Sequence, residues 1–142
     1  MRQKTFKAPP NPFPKQYCQY AVGACLEPLV ATGSICYNDT EAEILVGDLV
    51  TAWFREDAFS AGGQTRVKIL VGMTDDAITL VALNPIEQVT IPRSALHAVH
   101  RIFAIKLSEG RLWDLRTVAS RDHFVRSQLA GRSIDGERMI LP

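Results

Sequence analysis

Hydrophobic positions in this chain come in short runs separated by turn residues. The clearest run is Leu49-Val50-Thr51-Ala52-Trp53-Phe54, launched from Gly47-Asp48. It reads as a strand, because β-branched and aromatic side chains suit a pleated, half-buried surface. The same texture predicts strands over residues 65–72 and 77–83, with Asp75-Asp76 turning between them. Asn84-Pro85 breaks the pattern, residues 88–91 resume it, and residues 96–107 form a long, mostly apolar final strand. Upstream, residues 17–22 and 33–37 carry β character, the second followed by a turn at Asn38-Asp39. Residues 55–64, which include the adjacent Gly62 and Gly63, are a loop. Strands this short, at intervals of roughly ten residues, predict an antiparallel all-β sandwich or barrel-like domain in preference to βαβ units.

The two ends of the chain differ from this middle. Ala8-Pro9-Pro10-Asn11-Pro12-Phe13-Pro14 holds four of the eight prolines and predicts an extended arm, since proline fixes φ and biases the residue before it away from helix. Beyond Gly110, arginines recur at Arg111, Arg116, Arg121, Arg126, Arg132 and Arg138, with acids between them. Ser120 is placed to cap a short helix with apolar residues Phe124, Val125 and Leu129, and Gly131 to end it. The arginine spacing follows no helical face and predicts a solvated surface. The chain thus divides into an arm (1–16), a β domain (17–107) and a mixed, partly helical extension (108–142), within a length that suits one core.

Composition narrows the function classes. A net charge of +1 gives no global attraction to nucleic acid, and the basic Arg2, Lys4, Lys7 and Lys15 of the arm read as a solvated tail. No run approaches the ~18 apolar residues that span a bilayer, and the first 20 residues lack the apolar core of a signal peptide, so a cytoplasmic protein without membrane contact is expected. Cys18, Cys25 and Cys36 are odd in number and unclustered, which predicts free thiols. His97 and His100, three apart on a strand, should face opposite sides, and His123 is remote, so neither a metal nor a cofactor is expected. Gly62-Gly63 lacks the lysine of a phosphate loop. Of Trp53 and Phe54, one should point inward and one outward.

Five segments remain: Gly23-Ala24-Cys25-Leu26-Glu27-Pro28, Gly33-Ser34-Ile35, Val46-Gly47-Asp48-Leu49-Val50, Arg66-Val67-Lys68-Ile69-Leu70 and Leu80-Val81-Ala82-Leu83-Asn84-Pro85. In this order and spacing, over residues 17–107, they resemble the catalytic half of the LexA and UmuD self-cleaving proteins, whose β fold is shared with bacterial signal peptidases. The resemblance implies a mixed β-sheet, barrel-like fold. It sets Cys25 on the position of the family's nucleophilic serine and Lys68 on that of its general base. Leu26 falls on the methionine position, Glu27-Pro28 matches the Glu-Pro of many members, and Ala24 replaces a polar residue.

Replacing serine by cysteine changes the chemistry. A hydroxyl needs a neutral lysine as base, whereas a thiol, with an ordinary pKa of ~8.5 against ~10.4 for lysine, favours a thiolate–ammonium pair. Such a thiolate is nucleophilic by itself, and the ammonium can protonate a leaving amine. A small-residue cleavage bond of the family's kind, Ala-Gly or Cys-Gly, does not occur in residues 1–22, and no helix-turn-helix precedes it, so self-cleavage at the usual place is not expected. The reading favoured by these departures is a non-proteolytic binding or dimerisation module, in a regulatory setting such as a phage or a stress response, with a protein partner or a second copy. The alternative is a Cys25–Lys68 peptidase acting in trans or in self-processing.

Overall fold

The computed structural model describes residues 6–21, 25–58 and 64–129, with the backbone alone of 133–134 and 137–138. The chain lays down β1 (Gln16–Tyr20), β2 (Ile35–Asp39), β3 (Leu49–Phe54), β4 (Thr65–Met73), β5 (Ala77–Leu83), β6 (Ile86–Pro92), β7 (Leu96–Lys106) and β8 (Leu112–Asp114). One helix, α1 (Val118–Leu129), follows, and then the short pair β9 (Ser133–Ile134) and β10 (Glu137–Arg138). The first eight strands form one sheet in the order β1-β2-β7-β3-β4-β5-β6, with β8 added to the end of β7. Every pairing among the described residues is antiparallel, so the mixed sheet that was expected is replaced by an antiparallel one.

β3 and β5 begin and end where their apolar runs do. Asn38 and Asp39, expected in a turn, instead pair with Ile102 and Arg101 as the end of β2. The turn comes one step later, where the Asp39 carboxylate accepts the amides of Glu41 and Ala42. β6 starts at Ile86, opposite Leu83, which leaves Asn84-Pro85 as a two-residue hairpin turn.

β3 lies inside the sheet, and its alternation feeds two cores. Leu49 joins Leu29, Ile69, Ile102 and Ile105 in one cluster. Val50, Ala52 and Phe54 point the other way, onto Leu70, Ile78, Leu80 and Ile91. Leu115 and Phe124, from beyond residue 107, are buried in the first cluster, so the C-terminal segment completes the core.

The helix is capped by Thr117, three residues before the expected Ser120. The amide of Ser120 donates to Thr117 Oγ1 (3.0 Å) and the amide of Thr117 to Ser120 Oγ (3.1 Å), a reciprocal capping box. Gly131 lies outside the described residues. The arginines are not uniformly solvated either. Arg121 is 7% exposed, and its guanidinium meets the buried Asp48 carboxylate at 2.9 Å, while Arg101 approaches the other oxygen at 3.5 Å. That oxygen also accepts the amide of Leu45, closing the turn before β3 (2.7 Å). Gly47 at φ 101° makes room for the arrangement, since a Cβ there would sit 2.6 Å from an Arg121 nitrogen.

Removing one member of a buried ion pair strands the other charge, which costs more than the pair contributes. Asp48→Ala is therefore expected to lower unfolding free energy by about 3–5 kcal/mol in urea denaturation. Arg116→Ala breaks only an exposed bridge to Asp114 and should change it by less than ~0.5 kcal/mol.

Candidate active-site cleft

Cys25 opens the turn of residues 25–29, which is held from two directions. Below it, the amides of Leu29 and Val30 return to the Leu26 carbonyl (2.7 and 3.0 Å), and all three side chains are buried in the first core. Leu26, on the expected methionine position, is thus a core anchor. From the side, the Cys25 carbonyl accepts the amides of Leu83 (2.7 Å) and Asn84 (2.9 Å), so the β5–β6 hairpin turn clamps the loop. The thiol itself is half-buried.

Lys68 reaches the same point from β4, where it pairs across to Val50 and is flanked by Val67 and Ile69, both packed against the first core. Lys68 Nζ donates to Cys25 Sγ at 3.1 Å. Two residues 43 positions apart in sequence are thereby in direct contact, and both line a cleft of approximately 530 Å³.

The cleft exists because the sheet curls. Gln19 Nε2 donates to Thr51 Oγ1 (2.8 Å), and Thr51 Oγ1 donates onward to Asn38 Oδ1 (2.7 Å). Trp53 Nε1 donates to Tyr17 Oη at 2.8 Å. These bonds hold β1, one edge of the sheet, over β3. Thr51 and Trp53 pair with Val67 and Thr65, so β1 and the start of β4 run in the same direction on opposite walls. Among the described residues, β1 pairs only with β2, and residues 65–68 only with β3. The cleft therefore lies between two strand edges that run in the same direction, and an extended peptide lying along both would be antiparallel to each.

The other candidates separate by environment. Cys36 is fully buried, and burial pushes its thiol up to about 12, which makes it inert. Cys18 is exposed on β1. Trp53 and Phe54 point to opposite sides: Phe54 is in the second core with Arg66 over its ring at 4.7 Å, while Trp53 joins an aromatic cluster with the arm.

The two histidines overturn the expectation of opposite faces. His100 pairs with Thr51 and Ala98 with Trp53, but Phe54 pairs with Leu96, which leaves His97 as the extra residue of a β-bulge. The bulge shifts the alternation by one, and both imidazoles come to the ring of Phe13, at 4.5 Å (His100) and 5.8 Å (His97). Among the described residues, no group of three His, Cys, Asp or Glu side chains could hold a metal ion. The arm, expected to be solvated, is held at Lys7, Phe13 and Pro14. Nothing in the strand pattern signals the bulge or the arm's seat.

No helix among the described residues is long and apolar enough to cross a membrane. Compared with known proteins, the chain matches no family model, no curated protein and no solved structure.

Thr51 both accepts and donates in the buried chain that carries the curl. Thr51→Val leaves the Asn38 oxygen and the Gln19 amide unpaired and should cost about 1–3 kcal/mol in chemical denaturation.

Proposed function

We propose that this chain is a peptidase-fold domain of the LexA/UmuD type, which binds an extended peptide along the cleft and attacks it with Cys25. The observation that carries the reading is the 3.1 Å contact between Lys68 Nζ and Cys25 Sγ in the cleft wall. The ordered motifs of the family support the type, and the position of the cleft between β1 and the start of β4 supports an extended peptide as the substrate class.

The chemistry follows from the pair. Lys68 takes the thiol proton, and the resulting thiolate and ammonium stabilise each other in a half-buried site. The sulfur adds to the peptide carbonyl carbon, and the Cys25 backbone amide is a candidate donor to the oxyanion. As the intermediate collapses, the C–N bond breaks and the leaving amine takes its proton from the Lys68 ammonium. Water then hydrolyses the thioester, with the neutral lysine accepting its proton and the thiol restored. The substrate is an extended polypeptide segment, cut in trans or in self-processing; residues 1–22 themselves lack the family's cleavage bond.

A second reading keeps the cleft and drops the reaction: a non-proteolytic binding or dimerisation module of a regulatory protein. It is favoured by Tyr20, which is 69% exposed at the cleft mouth beside the free edge of β1, where a partner strand would cover it.

Iodoacetamide labelling read by peptide mass spectrometry distinguishes the role of Lys68. At pH 7, Cys25 should react faster than the exposed Cys18, and Lys68→Ala should slow Cys25 roughly tenfold while leaving Cys18 unchanged. Equal rates at Cys25 in both proteins would sink the catalytic pair. Incubation with a library of extended peptides then separates the two readings: an acyl adduct on Cys25 supports cleavage, and bound peptide without adduct or product supports the module.

A further inference from the structure

The proline-rich arm is fastened at both ends. Near its start, the Gln64 side-chain amide acts as a peptide group, accepting from the Lys7 amide (3.1 Å) and donating to the Lys7 carbonyl (2.6 Å). At its end, Thr40 Oγ1 donates to the Pro14 and Lys15 carbonyls (2.9 and 3.1 Å). Between them Phe13 is the apolar anchor, with Trp53 at 5.1 Å, His100 at 4.5 Å, His97 at 5.8 Å and Tyr17 at 6.1 Å between ring centroids.

The rings beneath Phe13 form a chain of hydrogen bonds. An indole N–H can only donate, and that of Trp53 donates to Tyr17 Oη at 2.8 Å. The phenol proton is left for His100 Nδ1, also at 2.8 Å. With that proton donated, His100 Nδ1 accepts, as a neutral ring with its proton on Nε2 does.

We infer that this chain is an acid-released latch, in which protonation of His100 frees the Phe13 arm from the domain. A proton on Nδ1 turns the acceptor into a donor. The Tyr17 oxygen then faces two N–H groups, and its own proton has no acceptor. Among the described residues, the titratable groups facing His100 are Tyr17 from β1 and His97 from β7 itself. β3 and the arm contribute Trp53 and Phe13, which do not titrate. No salt bridge joins either imidazole to a carboxylate among the described residues. Acid thus gathers like charge around Phe13 with no counter-ion among the described residues.

Burial, and then the neighbouring His97, hold His100 below its ordinary 6.5. A histidine lowered in the docked state contributes stability that is fully present above 6.5 and is lost as pH falls through the lowered value. Burial pushes Tyr17 up to about 12, so its proton stays available across this range. The latch does not depend on any chemistry at Cys25.

The test is NMR on the whole chain: heteronuclear NOEs of the Lys7, Phe13 and Lys15 amides, followed with the His100 ring shifts from pH 7.5 to 4.5. Expected is a rigid arm at pH 7.5 that loosens to the level of Phe13→Ala, with the midpoint of the His100 titration. His97→Asn should raise that midpoint. In His100→Asn, whose side-chain oxygen occupies the Nδ1 position but cannot be protonated, the arm should stay rigid at acid pH. An arm that remains rigid while His100 titrates overturns the latch, as does one that loosens with the same midpoint in His100→Asn. Should His100→Asn fail to hold the arm at pH 7.5, coincidence of the arm and His100 midpoints in the unaltered chain decides: agreement supports the latch, and separation overturns it.

Discussion

The curl of the sheet is the constraint from which the rest follows. An antiparallel sheet of eight strands would leave β1 as a distant edge, far from β4 in the strand order. Side-chain hydrogen bonds from Gln19 and Tyr17 fold that edge back over Thr51 and Trp53. These are buried or half-buried polar groups, and leaving them unpaired would cost more than their pairing contributes, so they specify one geometry. The curl creates the cleft, sets its two walls running in the same direction and gives the arm a seat on the rings of β1, β3 and β7.

Much of this fold was legible in the sequence, for a physical reason. β3 and β5 are continuous β-branched and apolar runs bounded by Gly47-Asp48 and Asn84-Pro85, so pattern and boundary agree. Where boundaries moved, a side chain had changed its role. Asp39 initiates a turn through its carboxylate, yet still belongs to the strand before that turn. Thr117 and Ser120 cap each other, so either residue alone is a plausible helix start. The burial of Arg121 could not be read locally, because its partner Asp48 is 73 residues away and its space is opened by a glycine at positive φ. Nor does periodicity hold through a bulge. The extra residue at His97 put two imidazoles on one side where strict alternation separates them.

The candidate site was legible in a different way. No spacing rule joins Cys25 to Lys68; what pointed to them was an ordered set of short motifs. The structure gives three of those motifs a mechanical task near the thiol. The Asn84-Pro85 turn supplies amides to the Cys25 carbonyl, Leu26 anchors the loop in the core, and the strand bearing Lys68 delivers its amine. The walls of the cleft and the arm cluster had no counterpart in those motifs, because they arise from side chains meeting across the curl.

The three cysteines show how far environment separates identical residues. Cys36 lies in the core, where burial disfavours its charged form and leaves it inert. Cys18 stands in solvent on β1. Cys25 alone combines access from a cleft with an amine at hydrogen-bonding distance. A serine in that place would need the amine neutral, and so would need a deeper, drier site for Lys68 than this half-buried one. A thiol needs the opposite, an amine that keeps its charge beside the sulfur. In the proposed peptidase, the partial exposure of Lys68 is therefore matched to a cysteine nucleophile.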